Sequence, residues 1–143
     1  MLVTSSWQQR STASRARFRN STLLFAQDID PSVSFDYRFV IGSRPLSAGD
    51  VADEMHILTE SRKHGDLLQV LAPDGYNDLS RKMSEAWRWA DQQKADYVLK
   101  TDDDIFVRLD TVTEELRQIG RQSEYWRGFA YWYVCLLCSV DMF

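Results

Sequence analysis

Cysteine, proline and histidine are scarce in this chain, and long apolar runs are absent. Among 143 residues there are two cysteines, three prolines and two histidines. Cys135 and Cys138 can supply half of a four-ligand zinc site or a redox pair, but their apolar setting favours two side chains in a buried strand. The longest apolar stretch, residues 129–140, is shorter than the about 20 residues that a membrane span needs. The net charge of −4 does not indicate binding to nucleic acid.

The composition is that of a packed globular domain. Hydrophobic residues make up 44% of the chain and charged residues 27%, which argues against disorder, and the length suits one small domain. The basic residues cluster near the beginning, as Arg10, Arg15, Arg17 and Arg19. Two interpretations of this cluster stay open, a solvated helix face and an anion-binding site.

Strand-like runs alternate with segments of helical period. The predicted strands are residues 2–5, 37–41, 67–71 and 97–99, and residues 105–107 resume a strand-like pattern. Helices are predicted after Ser47 and Asp50 up to Gly65, over residues 78–94, and from Asp110 to Gly120, with a partly helical segment before Arg19. This alternation predicts an α/β fold with a mainly parallel sheet, in which ligands bind beyond the carboxyl ends of the strands.

Three consecutive carboxylates follow the fourth predicted strand. Asp102, Asp103 and Asp104 repel one another, and a divalent cation with oxygen ligands would compensate that repulsion. The flanking strand-like runs favour a motif held at the end of a sheet. The residues alone leave two alternatives, a metal site and a solvated acidic turn.

The acidic triplet is part of a longer pattern. The run KTDDDIFV at residues 100–107 resembles the K-x-D-D-D-[VIA]-F-V signature of the β-1,3-galactosyltransferase family, which includes β-1,3-N-acetylglucosaminyltransferases. Other segments resemble further family signatures in the same order: LVTSS at 2–6, RARFRNS at 15–21 (loosely), FVIG at 39–42, ESRKHGDLL at 60–68 and DGYNDLSRK at 74–82.

The resemblance implies a fold and a donor site. The implied fold is α/β of GT-A type, a Rossmann-like and mainly parallel sheet with flanking helices, incomplete at the C-terminus. The implied donor is a UDP-sugar and the implied metal is Mn²⁺, with Asp102 and Asp104 as its ligands. The implied donor-binding residues are Thr4, Ser5, Arg15, Arg19, Lys82, Asp102 and Asp103. Lys82 either contacts the donor or pairs with a carboxylate, the second being slightly favoured, and Lys100 is expected to orient the acidic motif.

The implied reaction is a metal-assisted, inverting transfer with β-1,3 linkage. Galactose or N-acetylglucosamine would pass from the UDP-sugar to an acceptor glycan on a glycoprotein or glycolipid. Family members carry an acceptor-binding segment and a catalytic carboxylate after the acidic motif, and no matching segment is found here. We therefore expect residues 1–128 to be the N-terminal, donor-binding part of a glycosyltransferase domain and residues 129–143 a divergent tail. The catalytic base is unassigned.

Two other functions compete with this one. The first is an inactive fragment that retains at most UDP and Mn²⁺ binding, and the second is a metal-dependent phosphohydrolase built on the acidic cluster. The family resemblance further implies the lumenal side of the Golgi membrane, through an anchor that this sequence does not contain. Nucleic acid is not an expected partner.

Overall fold

The structure is a computed structural model that combines a parallel sheet with helices. It describes residues 2–4, 11–43, 51–73, 75–102, 104–122, 125, 127 and 128. Ser5, Ser47, Asp50, Asp103, both cysteines and the tail from residue 129 onwards lie outside the described residues. The predictions made for these positions are therefore carried by the sequence alone.

Four strands form one parallel sheet within the described part of the chain. They are β1 (Leu2–Thr4), β2 (Tyr37–Gly42), β3 (Leu67–Val70) and β4 (Leu99–Thr101). Their spatial order is β3-β2-β1-β4, so the short first strand lies between β2 and β4. Every neighbouring pair is parallel, as the alternation of strands and helices predicts.

Four α-helices connect or follow these strands: α1 (Thr12–Arg19), α2 (Val51–His64), α3 (Leu79–Gln92) and α4 (Leu109–Ile119). The Ser11 hydroxyl caps α1 by accepting a hydrogen bond from the Ser14 amide at 3.2 Å. Gly65 and Gly120 follow α2 and α4 with φ of +66° and +68°, a backbone region that glycine enters without strain. No helix in the described part of the chain has the length and apolar character that crossing a bilayer requires.

Helices cover both faces of the sheet. Phe39 and Val40 are neighbours on β2, so their side chains point to opposite faces. On one face Phe39 packs with Phe18 of α1 and Leu109 of α4, and the rings of Phe18 and Phe39 meet edge to face with centroids 5.7 Å apart. On the other face Val40 packs with Ala86 of α3. The predicted α/β class is therefore confirmed.

The fourth strand lies two residues later than predicted. It was expected at residues 97–99 and is found at Leu99–Thr101, because its pairing with β1 sets the register. Tyr97 lies before the strand and donates its hydroxyl hydrogen bond to the Gly120 carbonyl. The apolar character of a short run does not determine which of its residues pair with the neighbouring strand.

The predicted strand at residues 105–107 is wrong. These residues have irregular backbone, and the Ile105 and Phe106 side chains are 51% and 56% exposed. The segment is held by other contacts, since the Val107 amide donates to the Thr22 hydroxyl at 3.3 Å and the Phe106 ring meets Phe25 edge to face. The acidic triplet is therefore flanked by a strand on one side only.

Smaller differences concern helix boundaries. Arg108, not Asp110, occupies the N-cap position of α4, and Asp110 lies in its first turn. Two 3₁₀ helices, Thr22–Asp28 and Tyr76–Asp78, were not predicted. Short 3₁₀ segments lack the apolar period that identifies longer helices, so sequence pattern does not reveal them.

The packing on the α1 face predicts a large stability cost for truncating Phe18. Phe18→Ala removes a side chain that is 2% exposed, and we expect the free energy of unfolding to fall by about 3–5 kcal/mol. Leu24→Ala, at a residue that is 55% exposed, serves as the control and should change it by less than about 0.5 kcal/mol. Urea unfolding measures both, and equal effects would contradict this account of the core.

Candidate functional site

The carboxyl ends of β1 and β4 lie side by side. The register pairs Thr4 with Thr101, so the two strands end at the same level. Strand β2 pairs with one side of β1 and β4 with the other, so the strand order reverses at β1. Helices α1 and α3 cover opposite faces of the sheet. Such a reversal of strand order opens a crevice beyond the carboxyl ends of the strands, where open α/β sheets bind ligands.

The acidic motif begins at this end of the sheet. Asp102 directly follows β4, and its side chain is 44% exposed. Its Oδ1 atom accepts a hydrogen bond from Lys100 Nζ at 2.7 Å, the contact expected if Lys100 orients the motif. Because both groups are solvated, this ion pair contributes little to stability, and Asp102 stays accessible to a ligand.

Asp104 is exposed two residues further along. The Ile105 amide donates a hydrogen bond to the Asp102 carbonyl at 3.3 Å. Within the residues that the structure describes, no group of three or more histidine, cysteine, aspartate or glutamate side chains is arranged to hold a metal ion. Asp103 is outside that set, so the complete triplet stays a prediction.

Lys82 is a buried cation on the opposite face of the sheet from α1. It lies on α3 with Ala86 and Ala90, at intervals of four residues, and these three positions form the buried stripe of the helix. Its side chain is 0% exposed. This burial agrees with a role inside the protein, but the contact between Lys82 and a donor stays a prediction.

Arg15 of α1 is held by a glutamate of α2. Its Nε donates to Glu60 Oε1 at 2.9 Å and its Nη2 to Glu60 Oε2 at 2.5 Å, the planar two-bond geometry that a guanidinium forms with a carboxylate. Thr12 adds a hydroxyl hydrogen bond to Glu60 Oε2 at 3.2 Å. Arg15 and Glu60 are both buried.

Arg19, one turn further along α1, is held in the same way by an aspartate. Its Nε donates to Asp66 Oδ2 at 2.7 Å and its Nη2 to Asp66 Oδ1 at 2.8 Å. The same Nη2 lies 2.8 Å from Glu60 Oε1, which joins the two pairs into one cluster. The Tyr37 hydroxyl donates to Asp66 Oδ2 at 3.0 Å, and the face of the guanidinium covers the Phe39 ring.

The charges in this cluster shift its ionisation equilibria. Burial by itself would raise the pKa of Glu60, but the hydrogen bonds and positive charges of Arg15 and Arg19 outweigh it and lower the pKa to about 2. Burial and the neighbouring Asp66 carboxylate raise the pKa of Tyr37 to about 12. Glu60 is therefore ionised and Tyr37 protonated at neutral pH.

Sequence reasoning named the arginines but not their partners. Glu60 and Asp66 lie in the run ESRKHGDLL, which was singled out only for its resemblance to a family signature. Opposite charge alone suggests that these carboxylates could pair with arginines. It does not show which arginine each one pairs with, because Glu60 and Asp66 are 45 and 47 residues away from Arg15 and Arg19 in sequence. The predicted approach of these arginines to a nucleotide stays untested.

A large cavity of about 950 Å³ lies elsewhere, between β4 and α4. Apart from Lys100, it is lined by residues without a predicted functional role, among them Trp87, Tyr97, Val112, Leu116 and Tyr125. The acidic motif and the two arginines do not contribute to its walls. We therefore place the candidate site at the strand ends, where the chemistry-bearing residues lie, and not in this cavity.

Comparison with known proteins gives one family. Residues 6–131 match the sequence profile described as galactosyltransferase. Among curated proteins, beta-1,3-galactosyltransferase 4 of Canis lupus familiaris is 36% identical over 75 residues, which is 51% of this chain and 20% of that protein. Beta-1,3-galactosyltransferase 5 of Pan paniscus is 31% identical over 93 residues, or 64% of this chain and 30% of that protein.

A third relative gives the same picture. Beta-1,3-galactosyltransferase 6 of Mus musculus is 34% identical over 98 residues, covering 65% of this chain and 29% of that protein. The aligned part thus spans less than a third of each of these three relatives. No solved structure matches the chain significantly.

The depressed pKa of Glu60 predicts how one part of the stability depends on pH. A carboxyl group with a lowered pKa in the folded state contributes stability above its ordinary pKa of 4.5, and loses it as the pH falls towards about 2. Glu60→Gln should lower the free energy of unfolding by about 3–5 kcal/mol at pH 7, because it leaves buried arginine charge without a counter-ion. The difference between wild type and variant should shrink from pH 4.5 downwards.

Urea unfolding of both proteins between pH 7 and pH 2.5 makes this measurement. Glu54→Gln, at a half-buried glutamate on the same helix that accepts a hydrogen bond from Gln69, is the control. A difference between wild type and Glu60→Gln that is independent of pH would show that the carboxylate charge of Glu60 does not stabilise the fold.

Proposed function

The chain belongs to the galactosyltransferase family, and on that premise we propose that it forms the donor-binding part of a hexosyltransferase. The proposed donor is a UDP-sugar carrying galactose or N-acetylglucosamine. The proposed reaction transfers that sugar to an acceptor glycan with β-1,3 linkage and inversion. The names of the relatives support the β-1,3 linkage and galactose, and these relatives extend well beyond the matched part.

One observation carries this proposal: the acidic motif follows a strand whose end is level with the end of β1. The pairing of Thr4 with Thr101 brings Asp102 to the point where the strand order reverses. A nucleotide bound there would lie across the ends of β1 and β4. Thr4 and Ser5 would then meet the uridine, and the three aspartates would meet the diphosphate and the sugar; Ser5 and Asp103 enter this proposal from the sequence alone.

The described carboxylates suit a divalent cation. Asp102 and Asp104 offer oxygen ligands with water access, which is what Mn²⁺ and Mg²⁺ require when they also coordinate a phosphate. We propose that both residues hold Mn²⁺. Such an ion would offset the negative charge of the diphosphate as UDP departs. Lys100, paired with Asp102 Oδ1, would keep that carboxylate turned towards the crevice.

The rest of the reaction requires groups that this chain does not identify. An inverting transfer needs a base that takes the proton of the acceptor hydroxyl. Among the described residues, no carboxylate or histidine has a context that assigns this role. We therefore propose donor binding as the function of this part of the protein, and lumenal Golgi membrane as its location by analogy with the family.

Titration of UDP tests the proposal. With Mn²⁺ present, wild type should bind UDP, and Asp104→Ala and Asp102→Asn should each weaken binding by at least about tenfold, the equivalent of 1.4 kcal/mol for a lost charged contact. Isothermal titration calorimetry with and without Mn²⁺ makes the measurement. Asp91→Ala, which removes an exposed carboxylate of α3, should bind like wild type.

Three outcomes separate the alternatives. Binding without any dependence on Mn²⁺ or on the aspartates would contradict the proposed site. Absence of binding by a chain with a cooperative unfolding transition would favour an inactive fragment. Release of phosphate from a simple phosphate ester, with no preference for a UDP-sugar, would favour the phosphohydrolase.

A further inference from the structure

Arg15 and Arg19 are paired with carboxylates in one buried cluster. Two guanidinium groups face two carboxylates, so the formal charges of Arg15, Arg19, Glu60 and Asp66 cancel. Both Asp66 oxygens and both Glu60 oxygens accept hydrogen bonds from these side chains. A phosphate added to this cluster would bring further negative charge beside two buried carboxylates.

Burial makes the cluster costly to open. The side chains of Arg15, Glu60 and Asp66 are 2%, 5% and 3% exposed, and Arg19 is 11% exposed. Removing a buried ion from its partner leaves an uncompensated charge in a medium of low polarity.

The cluster also lies away from the acidic motif. Asp66 immediately precedes β3 and Tyr37 begins β2, whereas Asp102 follows β4. The order β3-β2-β1-β4 places three strand spacings between β3 and β4, which is roughly 14 Å across the sheet. Asp66 is thus separated from Asp102 by the width of the sheet, and the Arg19 guanidinium lies over the ring of Phe39 on β2.

The cluster connects four elements. Arg15 and Arg19 belong to α1, Glu60 to α2, Asp66 to the start of β3 and Tyr37 to the start of β2. Helix α1 follows β1 in the chain after residues 5–11. The cluster therefore fixes the helix that follows the strand end at Thr4 in sequence.

We infer that Arg15, Arg19, Glu60 and Asp66 form a positioning cluster that holds α1 against α2 and the starts of β2 and β3, and that Arg19 acts on the donor site through the position of α1. The second part of this inference rests on the proposed function, because it relates the position of α1 to the donor site. Glu60 and Asp66 are thereby positioning residues, and no substrate contact is assigned to them.

A double-mutant cycle tests whether the cluster acts as a unit. Arg19→Gln and Asp66→Asn should each lower Tm by roughly 10 °C, and the double variant should lower it by about as much as either single variant. Arg17→Gln, on the exposed side of the same helix, should leave Tm nearly unchanged. If the two effects simply add, the cluster does not act as a unit. Should Arg19→Gln fail to fold, Tyr37→Phe takes its place in the cycle, since its hydroxyl donates to Asp66.

Hydrogen exchange distinguishes positioning of α1 from general stability. Asp66→Asn should speed the exchange of amides in α1 at least tenfold more than that of amides in α3, which has no residue in the cluster. Mass spectrometry of peptides from the two helices measures this difference. An equal increase in both helices, or none in α1, would overturn the positioning role.

Titration with UDP and Mn²⁺ decides whether Arg19 contacts the donor. The positioning role predicts that folded Arg19→Gln and Asp66→Asn change the affinity for UDP to the same extent, within about threefold. Loss of affinity in Arg19→Gln with affinity kept or increased in Asp66→Asn would mean that Arg19 binds the diphosphate. If wild type does not bind UDP, the proposed function fails. The double-mutant cycle and the hydrogen-exchange measurement still test whether the cluster positions α1.

Discussion

The parallel pairing of β1 on both of its sides is the constraint from which the rest of this structure follows. Three residues, Leu2–Thr4, form ladders with β2 and with β4. Because the chain passes from β1 to β2 over one face and returns from β3 to β4 over the other, the strand order reverses beside β1. Asp102 lies at that reversal, the place where open α/β sheets bind ligands. Without the short first strand, the acidic motif would follow an unsupported edge.

The charged residues of the chain divide into two sets with different physical roles. Lys100, Asp102 and Asp104 are solvated, so their mutual interactions are weak and their side chains stay available to ligands. Arg15, Arg19, Glu60 and Asp66 are buried and paired, so they are bound to one another. The same residue types that attract a diphosphate on a surface thus serve, once buried and neutralised, to hold helix α1 in place.

Much of the fold could be predicted from local pattern, and the remainder depends on distant pairing. The limits of α2, β2 and α3 are close to those that apolar period and the glycine at position 65 indicate. The shift of β4 and the irregular backbone of residues 105–107 could not be foreseen, since the partner strand determines which apolar residues join the sheet. The pairing of Arg15 with Glu60 and of Arg19 with Asp66 could not be predicted for the same reason, because the carboxylates are far from the arginines in sequence.

The location of the donor site is the central claim, and paramagnetic broadening by Mn²⁺ in the presence of UDP tests it most directly. In an amide correlation spectrum, broadening falls steeply with distance from the ion. The account predicts the strongest losses of signal at Thr4, Thr101 and Asp102, and weaker losses at Asp66, which precedes a strand three spacings, or roughly 14 Å, away from β4. Losses centred on Arg19 and Asp66 would contradict it, and would place the metal and the diphosphate at the arginine cluster.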